Sequence, residues 1–135
     1  MYSDNDQTHQ HSHSEPSPID PEGVAQLRAS APSEELIAVV SGTFQVLGDP
    51  TRLKILYALT KRSCCVRDLA ILVGVTESAV SHQLRHLKDR RLVKQRREGT
   101  TIYYSLNDQH LVVLFREAEY HADHVYRDLP DHPYP

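Results

Sequence analysis

Between Val66 and Leu106 the chain reads VRDLAILVGVTESAVSHQLRHLKDRRLVKQRREGTTIYYSL, and this run restricts the fold more than any other. It opens as a short helix, breaks at Gly74 and restarts as a second helix from about Glu77, with Thr76 placed as its N-cap. On that second helix Val80, Leu84 and Leu87 form one apolar stripe, while Ser78, Ser81, His82 and Arg85 lie opposite. LVKQRRE and TIYYSL then pair around Glu98, Gly99 and Thr100 as a two-stranded hairpin. The expectation is a mainly α domain with a small β-hairpin, a winged helix-turn-helix.

Charge is distributed to match. Net charge is −3, yet Arg85, Lys88, Arg90, Arg91, Lys94, Arg96 and Arg97 crowd into residues 77–100 against Glu77, Asp89 and Glu98. Residues 1–36 are acidic, with Arg28 their one basic residue. Such a basic segment attracts phosphate. A charged helix can also be a solvated surface, but here a helix presenting short polar side chains lies beside a basic hairpin. Ser78, Ser81, His82 and Arg85 can reach base edges in a major groove, while Lys94, Arg96 and Arg97 neutralise phosphate. Double-stranded DNA is the expected partner. His86 reads as packed at the helix edge or solvated.

Around this run, residues 1–32 are polar and Pro-rich and read as a flexible arm carrying His9, His11 and His13. Residues 33–127 form the folded domain and 128–135 a tail. SEELIAVVSGTFQVLG and DPTRLKILYALTKR read as two further helices, the second started by Pro50 and apolar on two sides, hence central to the core. No run of about 18 apolar residues crosses a membrane, and the start MYSDNDQTHQ lacks secretory order, so the cytoplasm is expected. Cys64 and Cys65 are adjacent, which disfavours a bond between them and leaves two reduced thiols.

LGDPTRLKIL, CVRDLA, TESAVSHQLRHLKDRRLVKQRREGTTIYYSL and a DxH followed by HxxH together resemble the ArsR/SmtB metal-sensing repressors over residues 36–126. The resemblance implies a homodimer that binds operator DNA without metal and releases it with metal. It places the recognition SxxSH on Ser78, Ser81 and His82, with Gln83 beside them among the DNA contacts, and the wing on Lys94 to Tyr103. Where the family's thiolate-rich site has CVCD, this chain has CVRD, keeping Cys65 but putting Arg67 at the second thiol position. A further family pattern joins Cys65 and Asp68 to ligands of the arm, here His9, His11 or His13, as a second site. A thiol-based redox or arsenic sensor using Cys64 and Cys65 is the alternative within DNA binding.

The stretch NDQHLVVLFREAEYHADH carries metal-ligand side chains at both ends, Asp108 and His110 at one and His121 and His124 at the other. A helix separates these pairs by about 16 Å. His110, Glu117, His121 and His124 nevertheless share a stripe about 60° wide, beside an apolar face of Leu111, Leu114, Phe115, Ala118, Ala122 and Val125. Two copies packed antiparallel on the apolar face, about an axis near Phe115 and Arg116, would set His110 opposite the other copy's His121 and His124, twice. Three imidazoles and a carboxylate favour tetrahedral Zn²⁺, with Co²⁺ a substitute, and Ni²⁺ or Co²⁺ if arm histidines enlarge the site. A zinc hydrolase is the rival of another class; a closed four-ligand site leaves it no place for substrate.

Overall fold

The computed structural model describes residues 16–127, as six helices and three short strands. The chain divides between Ile37 and Ala38 into two compact units. In the first lies helix α1, Pro21–Ser30, inside the segment expected to be a flexible arm. Its start is ordinary helix chemistry: Asp20 accepts from Gly23 N at 3.0 Å and Pro21 stands at the first helical position. None of its residues is buried, which explains why hydrophobic patterning gave no sign of it.

The order continues α2 (Glu34–Leu47), α3 (Pro50–Lys61), β1 (Cys64–Cys65), α4 (Val66–Val73), α5 (Glu77–Asp89), β2 (Val93–Glu98), β3 (Thr101–Leu106) and α6 (His110–Arg127). Helix α3 begins where Asp49 accepts from Arg52 N at 2.9 Å. It buries Ile55, Leu56 and Leu59, the central place its two apolar sides require. Leu69 and Ala70 of α4, Val80, Leu84 and Leu87 of α5, and Leu111 and Phe115 of α6 complete the core with Val93 and Leu106 of the hairpin. Each fully buried aliphatic side chain here stabilises the fold by about 1.5–3 kcal/mol relative to exposure.

Between α4 and α5 the chain turns at Gly74, whose φ of 78° is a left-handed conformation that glycine adopts without a Cβ clash. Strands β2 and β3 pair antiparallel from Val93 with Leu106 to Glu98 with Thr101, leaving Gly99 and Thr100 as the two-residue turn. The expected two-stranded hairpin is in fact the outer part of a three-stranded sheet, ordered β1-β3-β2. Cys64 pairs with Tyr104 and Cys65 with Tyr103. Two residues are too few for an alternating pattern, so this strand has no signal of its own in the sequence.

Gly42 of α2 is buried, and a methyl group there would run into the Arg90 guanidinium at the end of α5. The missing side chain thus leaves room for the Arg90 guanidinium beside α2.

Candidate DNA-reading face and metal centre

Helix α5 is fixed from within and open outward. Thr76 Oγ1 accepts from Ala79 N at 3.0 Å, and Val80, Leu84 and Leu87 hold the inner face. Ser78, Ser81, His82 and Arg85 are exposed, as expected of side chains free to meet a nucleic acid. Gln83 differs from the expectation. It is half-buried, and its Oε1 accepts from Arg52 Nη1 at 3.0 Å. Arg52 also donates from Nε to the Val46 carbonyl at 2.8 Å, so this one side chain ties α5 and the end of α2 to α3. A carbonyl oxygen held by guanidinium is committed to the scaffold. Nothing in the amphipathic pattern marked Arg52, because a side chain that bridges helices follows no period of its own.

On the wing, Lys94, Arg96 and Arg97 are exposed. Side chains alternate along a strand, which puts Lys94 and Arg96 on one face of β2 and Arg97 on the other. Arg96 is partly occupied: its Nη2 lies 2.9 Å from Glu98 Oε1, and its guanidinium sits 5.7 Å from the centre of the Tyr103 ring. That arrangement presents a positive edge whose charge Glu98 reduces.

At the head of α6, Asp108 and His110 are brought together. Asp108 Oδ1 accepts from His110 N at 2.9 Å and lies 2.9 Å from His110 Nδ1. The contact brings a carboxylate and an imidazole, two common zinc-ligand types, side by side at the start of α6. His121 is exposed near the other end, and the half-buried His124 meets the Tyr120 ring edge to face at 4.9 Å. Among the described residues of the single chain, no three His, Cys, Asp or Glu side chains stand close enough together to hold a metal ion. The two pairs stand at opposite ends of α6.

Part of the apolar face of α6, on which the sequence reading packs a second copy, is taken up by this chain's own core. Leu111 and Phe115 are buried in this chain's own core, with Phe115 stacked on Tyr57 of α3 at 4.9 Å. Ala118 and Val125 of the same face remain exposed. The same stack places Tyr57 beside Glu119, and burial first, then the hydrogen bond to that carboxylate, pushes the phenol above its ordinary pKa.

Cys64 and Cys65 are both free thiols, and their neighbouring positions on β1 point to opposite faces of the sheet. Burial pushes the Cys64 thiol up, against a lowering by Arg62, so its thiolate is disfavoured. Cys65 is the N-cap residue of α4 and lines an open groove of about 460 Å³ with Arg67, Glu77 and Thr101. Asp68 is exposed in the first turn of α4. His9, His11 and His13, the other expected contributors to that second site, lie outside the described residues.

Comparison with known proteins agrees with this architecture. The family described as bacterial regulatory protein, arsR family, matches residues 49–95. The chain is 45% identical over 104 residues to a transcriptional repressor SmtB homolog from Synechocystis sp., covering 77% of this chain and 76% of that protein. It is 39% identical over 87 residues to a cadmium resistance transcriptional regulatory protein CadC homolog from Staphylococcus aureus, covering 64% and 72%. A homodimeric winged helix-turn-helix DNA-binding domain from Mycobacterium bovis superposes with a TM-score of 0.66 at 28% identity, over 77% of this chain and 99% of that one. Among the described residues no helix is long and apolar enough to cross a membrane. The chain belongs to the arsR family of bacterial regulatory proteins: it is a winged helix-turn-helix transcriptional repressor, not an enzyme.

Proposed function

We propose that this repressor binds operator DNA as a homodimer in the cytoplasm and releases it when the terminal helices of the two protomers are joined through a divalent cation. Asp108 and His110 of one protomer would act with the partner's His121 and the partner's His124. Their three nitrogens and one carboxylate oxygen suit Zn²⁺ best, with Co²⁺ or Ni²⁺ as substitutes. Bound there, the ion supplies a cross-link between the helices. The observation that carries this reading is the separation of two candidate ligand pairs at the ends of α6, with Asp108 and His110 already side by side. The homodimer is further supported by apolar side chains left in solvent, Phe44 on α2 at 55% exposure and Val125 on α6 at 63%.

The residues of the chain also offer a route from α6 to the DNA-reading face. Phe115 carries any change in the pose of α6 onto Tyr57, and Arg52 on the same helix α3 holds Gln83 of α5. Operator half-sites require a set spacing, so a dimer held with its two α5 helices at another spacing binds less well. Cys65 and Asp68, with His9, His11 and His13, form the second candidate site; it adds a metal without being required for release. A thiol sensor has less support, since the raised Cys64 thiol is a poor nucleophile at neutral pH.

The test is His121→Ala, assayed by fluorescence anisotropy on operator DNA. The variant should stay dimeric and DNA-bound but no longer respond to zinc. Release at the parent's zinc concentration would eliminate the terminal-helix site as the sensor and leave the Cys65 site in its place.

A further inference from the structure

His82 and His86 stand one turn apart on the outward face of α5, both exposed. Their Nε2 atoms are 3.3 Å apart, and the rings meet edge to face at 90° with centroids 4.8 Å apart. The spacing matches a definite coordination geometry. Two imidazole nitrogens bound at about 2.0–2.1 Å to one tetrahedral ion lie about 3.3 Å from each other. The right angles of an octahedral or square-planar ion would draw them in to about 2.9 Å.

We propose that His82 and His86 form a separate cation site on the recognition helix, taking a tetrahedral divalent ion such as Zn²⁺, with water in its remaining positions. Without the ion, one Nε2–H donates to the other ring's Nε2 lone pair. Binding requires only that the donating ring move its proton to Nδ1, so that both neutral rings present Nε2, and no net proton is released. Two protein ligands hold an ion less firmly than four, and Arg85 and Lys88 add nearby positive charge, so this site fills at higher zinc than the terminal-helix site. If His82 reads bases, as the proposed function has it, the bound ion takes the lone pair that reading needs. The binding itself stands on the two rings alone.

The experiment uses the full chain carrying His121→Ala, which disables the terminal-helix site, with ¹³C-labelled histidine and no DNA. Zinc chloride is titrated while the ring carbon signals of each histidine are followed by NMR. The signals of His82 and His86 should move together and report Nδ1–H tautomers at saturation. Adding His86→Ala should weaken the response of His82 by about a hundredfold or more, because the second ligand is held at high effective concentration. His86 is exposed, so the substitution leaves the core intact, and unchanged backbone amide signals for Val80, Leu84 and Leu87 would verify it. A His82 ring that responds at the same zinc concentration without His86, or two rings that stay silent up to millimolar zinc, would overturn the site.

Discussion

Arg96 and Arg97 are adjacent in the sequence, yet they enter a DNA complex from different starting points. Arg97 is exposed on its own face of β2, whereas Arg96 already lies against Glu98 and above Tyr103. Each phosphate contact contributes about 0.9 to the slope of log affinity against log salt. Arg97→Ala should therefore lower that slope by about 1 on operator and random DNA alike, read by binding titrations at several salt concentrations. Glu98→Gln should tighten binding on both DNAs by freeing Arg96, and weaker binding would place Glu98 in a supporting role instead. The Tyr57 phenol gives a second expectation at this scale. Its folded pKa is raised, so the fold favours the protonated form; that contribution is complete below the unfolded phenol's pKa and is lost as pH rises through the folded value. Tyr57→Phe should remove a component that titrates above the ordinary phenol range from a spectrophotometric tyrosine titration and flatten the fall of thermal midpoint with alkaline pH.

At the scale of elements, the starts and stops of helices were legible wherever a local side chain makes them. Pro50, Thr76 and the break at Gly74 act within one turn, and each is where the sequence put it. The hairpin was legible for the same reason. What escaped depends on partners far along the chain: β1 exists because Tyr103 and Tyr104 stand opposite it, and Gln83 turns inward because Arg52 comes from another helix. The stripe of His110, Glu117, His121 and His124 on α6 follows from helix period, but the division of the apolar residues beside it does not, since period cannot tell an inner partner from an outer one. The end of α5 shows a local cost of this kind. Leu92 N bonds the Leu87 carbonyl at 3.0 Å and Arg91 N the Lys88 carbonyl at 2.9 Å, a Schellman ending that puts Arg91 at φ 57° where glycine is favoured. Arg91→Gly should raise stability by about 1 kcal/mol in urea denaturation by removing that strain. No gain would mean that contacts of the Arg91 side chain offset it.

Across the whole molecule, α3 has contacts in both directions. Its Tyr57 stacks on Phe115 of α6, the helix of the proposed metal ligands, and its Arg52 holds Gln83 of α5, the candidate DNA-reading helix. A cation shared by two α6 helices can weaken DNA binding only if the joined and free dimers present α5 differently, and the coupling acts equally in both directions. Coupling of about 1–3 kcal/mol corresponds to a change of roughly 5- to 150-fold in operator affinity. If the Arg52–Gln83 bond transmits it, Gln83→Met should reduce that change while preserving most of the packing volume. Zinc affinity of the DNA-free variant should equal the parent's, because Gln83 lies on α5 and the expected ligands lie at the ends of α6. Operator affinity with and without zinc, measured for parent and variant, supplies the four values of a thermodynamic cycle. A zinc effect on the variant as large as on the parent would remove α3 from the route and direct attention to α2, where Gly42 receives Arg90 at the far end of α5.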